Sequence, residues 1–204
     1  KQLPEQNETI RIVLMKVLTD RESSIAVPEL FRQAKSKNSK LVVAAYRSIR
    51  KLAGPEHLPK LLSSLQSCAN DNIRSEIIKA LTGVSHRRQC QGSLIARIET
   101  LWGASQTVDT RRSLLKIVGE FHVKRSFDLL KKALQNKDEA VKGVALRQLA
   151  RWPGVEALPV LKSVYTSDSD RTRRILALRA VIRLLELQNQ LTMADTMRYY
   201  KDVL

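Results

Sequence analysis

A stretch of nine residues that occurs twice decides the fold. Residues 41–49, LVVAAYRSI, match residues 141–149, VKGVALRQL, at a shift of 100 positions. At the same shift, residues 54–61, GPEHLPKL, match residues 154–161, GVEALPVL, and share the pattern G-x-E-x-L-P-x-L. A shift of 100 corresponds to three units of about 33 residues, a typical length for a repeat built from two helices. The sequence therefore predicts an array of repeats.

Apolar residues between these copies follow the spacing of helices. They recur at intervals of three and four, and only 7 glycines and 6 prolines punctuate the 204 residues. We expect six antiparallel helix pairs, near residues 8–38, 39–70, 71–105, 106–138, 139–170 and 171–204. Turns within the pairs are predicted near Gly54, Ser85, Phe121, Gly154 and Asn189.

The second helix of each pair carries the pattern L-h-x-x-h, in which h is apolar. Its core copies are Leu30-Phe31-Ala34, Leu61-Leu62-Leu65, Leu94-Ile95-Ile98, Leu129-Leu130-Ala133 and Leu161-Tyr165. Short polar segments separate the pairs, at residues 70–72, 136–138 and 167–170. Their Asn, Asp and Ser side chains can accept hydrogen bonds from the unpaired N–H groups of the next helix, so we expect helix caps there.

These features resemble the short bacterial-type HEAT repeats, whose first helix reads roughly V-R-x-x-A-x-x-A-L and whose second carries L-P-x-L. The resemblance covers nearly the whole chain. It implies an all-α, right-handed α-solenoid of about six antiparallel helix pairs, forming a single domain over residues 1–204. In the family, one first-helix position is a structural arginine, and by resemblance it is filled here by Arg11, Arg74, Lys142 and Arg174.

Composition limits the class of protein but leaves its compartment open. With 43% hydrophobic and 27% charged residues, the chain has the composition of a folded domain. It has no stretch of eighteen apolar residues, so we expect no membrane span. Cys68 and Cys90 form no CxxC pattern and fit any redox compartment. Because the chain begins at Lys1 without a methionine and stops at Leu204 inside a predicted helix, we expect a fragment of a longer protein.

Side chains suited to catalysis are scarce. His86 and Cys90 are four residues apart, but no third metal ligand lies nearby in the sequence. Trp102 and Trp152 are expected in the core, and they do not occupy equivalent positions, as the aromatic cradle of a HEAT-like alkyl-DNA glycosylase would require. Phycobilin lyases also use similar repeats, yet nothing in the sequence indicates a tetrapyrrole. We therefore predict that the protein is not an enzyme and has no catalytic residue, cofactor or metal site.

Basic residues recur in register with the repeat. Lys and Arg number 36 against 20 Asp and Glu, a net charge of +16 that is shared equally by the two halves of the chain. One first-helix position is basic in five of the six pairs, with Leu115 as the exception. We call the five residues the basic stripe: Lys16, Arg47, Lys79, Arg147 and Arg179. Because packed helices lie about 8–10 Å apart, these residues would follow one another along one face.

The second helices supply another candidate surface. In HEAT solenoids these helices line the concave side, where partners usually bind. The residues between the apolar positions of L-h-x-x-h would face that side, and we call them the partner-face candidates: Arg32, Gln33, Ser63, Ser64, Arg97, Lys131, Lys132 and Ser163.

The sequence leaves two functions open. The first is a non-catalytic scaffold whose second-helix face binds another protein or another domain of the parent chain. The basic residues on that face could receive an acidic segment of such a partner. The alternative is nucleic-acid binding without sequence preference through the basic residues, since Lys and Arg neutralise phosphates. With 4% aromatic residues, the chain lacks the stacking platforms of single-strand binders, an objection that applies less to duplexes.

Overall fold

The computed structural model describes residues 8–104 and 107–186, together with Met197 and Tyr199. These residues form eleven α-helices, three short 3-10 helical turns and no strand, which confirms the predicted all-α fold. The helices are α1 (Glu8–Asp20), α2 (Val27–Gln33), α3 (Ser39–Leu52), α4 (Leu58–Ser67), α5 (Asp71–Arg87), α6 (Gln91–Gly103), α7 (Val108–Val118), α8 (Lys124–Ala133), α9 (Glu139–Leu149), α10 (Leu158–Ser167) and α11 (Arg171–Glu186). The turn predicted near Asn189 lies outside the described residues.

The chain forms two compact units, Lys1–Thr100 and Leu101–Leu204, whose boundary falls inside α6. In the first unit, α3 packs against α1, α2 and α5, and α4 packs against α5. In the second unit, α9 packs against α7, α8 and α11, and α10 packs against α11. Within each unit, the first helices of successive pairs are therefore neighbours, and each of these second helices packs on the first helix of the following pair.

Polar side chains begin the first helices as predicted. Asn38, Asn70 and Asp138 each accept hydrogen bonds from the backbone N–H groups two and three residues later, at 2.9–3.4 Å. Asp170 accepts one from the N–H three residues later at 2.8 Å, and Thr107 does the same at 3.2 Å. Such caps satisfy N–H groups that have no partner inside the helix.

The shared G-x-E-x-L-P-x-L pattern has a local explanation. In α2, α4 and α10, proline is the second residue, where its fixed φ suits a helix and its missing N–H is not needed. A Cβ added to Gly54 would overlap the Glu56 carboxylate, and one added to Gly154 would overlap that of Glu156. A side chain at either glycine would displace the carboxylate of the glutamate two residues later, which lies against the glycine.

The predicted second-helix cores are buried throughout, except that Ala34 and Tyr165 are partly exposed. Trp152 is also buried, with 2% of its surface exposed, which confirms the expectation of a core tryptophan. Its Nε1–H donates to Oε1 of Glu156 at 2.6 Å, so the buried indole has a polar partner. Trp102, by contrast, is partly exposed, and Arg111 lies over its ring with the guanidinium carbon 5.7 Å from the centroid.

Two helices are followed by a left-handed residue that is not glycine. The chain turns beyond α1 at Glu22 (φ 51°) and beyond α5 at Gln89 (φ 50°), both in the left-handed region that favours glycine. In each turn, the N–H of the next residue donates to a carbonyl five positions back at 3.0 Å, as in a Schellman motif. The turn predicted near Ser85 therefore lies later in the chain, because α5 continues to Arg87 and no glycine marks its end.

Candidate functional site

All five residues of the basic stripe are exposed. Lys16, Arg47 and Lys79 lie on α1, α3 and α5 of the first unit, and Arg147 and Arg179 lie on α9 and α11 of the second. In α3, α5, α9 and α11, the stripe residue stands nine positions after the capping residue. The stripe position therefore lies at a constant distance from the start of these helices.

The exception that the sequence predicted at Leu115 is wrong. Leu115 is fully buried, and the position nine residues after the Thr107 cap is Lys116, which is exposed. The basic position is therefore filled in α7 as well. Counting from the cap, rather than from the apolar pattern, would have found Lys116 in the sequence.

Glu76 partly neutralises the stripe in the first unit. Its side chain is only 10% exposed, and its carboxylate accepts a hydrogen bond from Nζ of Lys79 at 2.8 Å and lies 3.6 Å from Nε of Arg47. Burial opposes ionisation of Glu76, but the hydrogen bond from Lys79 and the charges of Lys79 and Arg47 together hold its pKa below the ordinary value. Arg47 and Lys79 thus share one counter-charge.

Two grooves accompany the stripe in the first unit. One, of about 310 Å³, is lined by residues of α1 and α3 that include Lys16, Arg47, Arg50 and Lys51. The other, of about 330 Å³, is lined by residues of α3 and α5, again including Arg50 and Lys51. Sequence reasoning missed both of these residues, because they follow the stripe position of α3 and do not recur in every repeat.

Arg87 also lines the second of these grooves. Its guanidinium donates to the carbonyl oxygen of Arg50 and, at 2.5 Å, to that of Ala53, both at the C-terminal end of α3. Burial, followed by the charge of Arg88, lowers the pKa of Arg87 from its ordinary value. Part of the hydrogen-bonding capacity of Arg87 is therefore used within the fold.

The partner-face candidates of the first unit are largely occupied by local contacts. Arg32 donates two hydrogen bonds to the Glu29 carboxylate, at 2.7 and 2.8 Å. Gln33 is buried, contrary to the expected surface position, and its Nε2 donates to Glu29 at 2.5 Å. It is buried because it lies on the side of α2 that faces the core. Glu29 holds both side chains, so its pKa is lowered, chiefly by Arg32.

The remaining candidates of that unit differ in exposure. Ser63 and Arg97 are exposed, and the Ser63 hydroxyl donates to a backbone carbonyl of its own helix at 3.1 Å. Ser64 is half-buried, and its hydroxyl donates to the Lys60 carbonyl at 3.0 Å. Ser64 also hydrogen-bonds to the buried Tyr46, whose pKa is raised by burial.

In the second unit, the partner-face candidates border open space. A groove of about 540 Å³ lies between α8 and α10, and Lys131 and Ser163 both line it. Lys132 is exposed but does not line this groove. The α10 side consists of side chains at helical spacing, Pro159, Val160, Ser163, Val164 and Ser167. We call this space the second-helix groove.

An ion-pair network borders the second-helix groove. Arg173 donates two hydrogen bonds to the Asp168 carboxylate, both at 2.8 Å, and a third to Glu139, which also accepts one from Lys142 at 2.8 Å. The hydrogen bonds from Arg173 lower the pKa of Asp168 more than burial raises it. This network was missed in the sequence, where Arg174 was expected to be the structural arginine. Arg174 is exposed, and Arg173 makes the contacts.

Two of the three histidines, His57 and His122, pack against aromatic side chains within the fold. His57 stacks on Phe31 with ring centroids 5.7 Å apart, and its Nδ1 accepts a hydrogen bond from the Gly54 N–H at 3.2 Å. His122 packs edge-on against Trp152. Among the described residues, no three His, Cys, Asp or Glu side chains are grouped as metal ligands would be. Nor does any helix in this part of the chain have the length and apolarity to span a membrane.

Of three comparisons with known proteins, the match to a family model identifies the family. Comparison with curated proteins found no match. Among solved structures, the complex of CpcE and CpcF of phycocyanin lyase from Nostoc sp. PCC7120 aligns over 100% of this chain and 92% of that chain, with 17% identity and a TM-score of 0.41. The family model for HEAT repeats matches residues 1–82 and 97–182, which is most of the sequence. The chain therefore belongs to the HEAT-repeat family.

Proposed function

We propose that the chain is a non-catalytic HEAT-repeat scaffold that binds a protein partner, or another domain of a longer parent chain, through the second-helix groove. The observation that carries this proposal is the groove itself, with about 540 Å³ of space beside two residues that the repeat pattern selects as partner-facing, Lys131 and Ser163. Clefts of this size accept several side chains of a bound segment.

The lining of the groove indicates the chemistry of that segment. Leu134, Pro159, Val160 and Val164 supply apolar surface, and serine hydroxyls lie among them. A partner segment with small or medium apolar side chains would bury this surface, and removing apolar area from water favours binding. The segment would be a stretch of protein rather than a small polar metabolite.

Charge favours an acidic residue in the same segment. Of the three cations that line the groove, Arg173 and Lys142 are held by Asp168 and Glu139. Lys131 forms no ion pair with a carboxylate among the described residues, so it is the cation available to a partner. We expect a partner carboxylate to lie near Lys131, which would fix the orientation of the segment more than it adds to affinity.

The non-catalytic part of the proposal is supported by the use of the polar side chains. Asn70 and Asp138 cap helices, Arg87 and Arg183 bind backbone carbonyls, and Arg173 joins two carboxylates. Each of these contacts stabilises the fold. The exposed partner-face candidates Ser63, Arg97 and Lys132 would extend the same binding role along the second helices.

The proposal is tested by placing a photo-crosslinking amino acid at position 163 and, as a control, at Thr166, an exposed residue of the same helix that does not line the groove. Proteins captured at 163 and not at 166 are identified by mass spectrometry and purified. Their affinity for the wild type, Ser163→Trp and Thr166→Trp is then measured by calorimetry.

We expect Ser163→Trp to weaken binding at least about tenfold, because the indole fills the groove and blocks well-packed contacts. Thr166→Trp should bind like the wild type. Equal capture at the two positions, or an affinity that Ser163→Trp leaves unchanged, would contradict the proposal. Circular dichroism and thermal melting establish that both variants are folded.

A further inference from the structure

We propose that the first unit also binds the phosphate backbone of double-stranded nucleic acid, without sequence preference, through a surface formed by α1, α3 and α5. This surface, which we call the basic face, is separate from the second-helix groove and independent of the function proposed for it. It comprises Lys16, Arg47, Arg50, Lys51, Lys79 and Arg87.

The basic face is continuous across three neighbouring helices. Its two grooves adjoin, because Arg50 and Lys51 line both of them. Helices packed about 8–10 Å apart make such a surface about 20 Å wide from α1 to α5. Cations that line a cleft produce a stronger local potential than the same cations on a convex surface, which favours an anionic ligand here.

Counting the opposing charges shows which cations are available. Asp20 lines the groove between α1 and α3, and Glu76 is shared by Arg47 and Lys79. Lys16, Arg50 and Lys51 form no ion pair with a carboxylate in the described part of the chain. The basic face therefore keeps an excess of positive charge after its internal contacts are counted.

The spacing of charge favours a duplex over an acidic protein segment. Duplex DNA carries one negative charge for about every 1.7 Å of its axis. About 20 Å of duplex therefore carries about 12 phosphates that the cations of the basic face could contact. Among the described residues, no Phe, Tyr or Trp lines either groove, whereas proteins that bind single strands stack bases on aromatic rings. The chemistry that remains is contact with the backbone, which does not read the sequence.

The test is fluorescence anisotropy with a labelled 20-base-pair DNA duplex over a series of salt concentrations. The double variant Lys16→Glu/Lys51→Glu alters two exposed residues of the basic face, and Arg147→Glu/Arg179→Glu makes the same change of charge in the second unit. We expect the first to weaken binding by about tenfold or more and to flatten the log–log salt slope by about 2, which is one unit for each lost phosphate contact. The second should lose less than half as much in both quantities.

Glu76 provides a test in the opposite direction. Glu76→Gln removes the counter-charge that holds Arg47 and Lys79. Duplex affinity should then rise about threefold or more, with a steeper salt slope, because more cations reach the phosphates. Glu120→Gln changes the net charge equally at an exposed site of the second unit and should raise affinity less.

Three results would overturn the proposal. Equal losses in the two double variants would show that net charge, rather than this face, attracts DNA. Tighter binding of a single strand of the same length would contradict a duplex-backbone surface. Competition by polyglutamate as effective as that by unlabelled duplex, at equal charge concentration, would identify the ligand as an acidic protein. Melting curves of each variant separate these outcomes from loss of fold.

Discussion

The helices α3 and α9 are equivalent in the repeat, and in both an arginine from the next first helix binds the carbonyls at the C-terminal end. In the first unit that arginine is Arg87, which reaches the carbonyls of Arg50 and Ala53. In the second unit Arg183 donates to the carbonyls of Ala150 and Trp152 at 3.1 and 2.7 Å. The two arginines do not occupy equivalent positions, since the residue 100 positions before Arg183 is Gly83.

The side chains next to these two arginines also differ in size between the two units. A Cβ added to Gly83 would lie 2.6 Å from Cγ of Arg50, so the glycine makes room for this long side chain. At the corresponding place in the second unit the long side chain is Arg183 and the small one is Ala150, the equivalent of Arg50. The repeat therefore conserves the helices and the capped carbonyls, whereas the side chains that fill the interface have exchanged sizes.

The largest losses of stability are expected at two equivalent buried positions, Leu52 in the first unit and Trp152 in the second. We expect Trp152→Ala to lower the free energy of unfolding by about 4 kcal/mol and Leu52→Ala by about 3 kcal/mol, because each leaves a cavity in a packed core. Trp152→Ala also removes the donor to Glu156. Urea unfolding followed by circular dichroism measures both values, and a smaller loss for Trp152→Ala than for Leu52→Ala would contradict this ranking.

A middle-sized effect should come from the two capping arginines. Arg87→Met and Arg183→Met keep much of the aliphatic side chain and remove the charged donors, at an expected cost of about 2 kcal/mol each. Similar losses in the free energy of unfolding would show that the two non-equivalent arginines stabilise their helix ends equally. If either variant is as stable as the wild type, the capping role of that arginine is wrong.

The smallest effect should be the coupling between Arg50 and Gly83. Alone, Gly83→Ala gains helix propensity but displaces Arg50, whereas in an Arg50→Ala background it should gain about 1 kcal/mol. The double-mutant cycle should therefore give a coupling of about 1 kcal/mol between the two positions. Gly92→Ala, whose new methyl group would meet no atom within 4 Å beyond its chain neighbours and its own helix backbone, should show no coupling to Arg50. If Gly83 also shows no coupling to Arg50, the inference that this glycine makes room for the arginine side chain is wrong.

Much of the fold could be predicted from the sequence, because its signals are local. The spacing of apolar residues predicts the helices, and polar residues such as Asn70 and Asp138 predict where they begin. The left-handed turn at Gln89 could not be predicted, since a glutamine there carries no signal for a helix end. Likewise, the apolar neighbours of Leu115 shift the apparent register of α7 by one residue, which places Leu115 rather than Lys116 at the stripe position.

The candidate sites were less predictable, because they depend on contacts between helices. The repeat pattern selected Lys131 and Ser163, but the groove between them follows from the separation of α8 and α10. It also selected Gln33, whose position in α2 turns it into the core. Arg50 and Lys51 became visible as candidates only when α1, α3 and α5 were placed side by side.

The helix ends at Glu22 and Gln89 have a consequence for engineering the protein. A residue other than glycine in the left-handed conformation costs about 1 kcal/mol. Replacing Glu22 and Gln89 by glycine should therefore raise the free energy of unfolding. Neither residue lines the second-helix groove or the basic face. Glycine at these two positions would thus offer a more robust starting point for biochemical work, with both candidate surfaces left in their native chemistry.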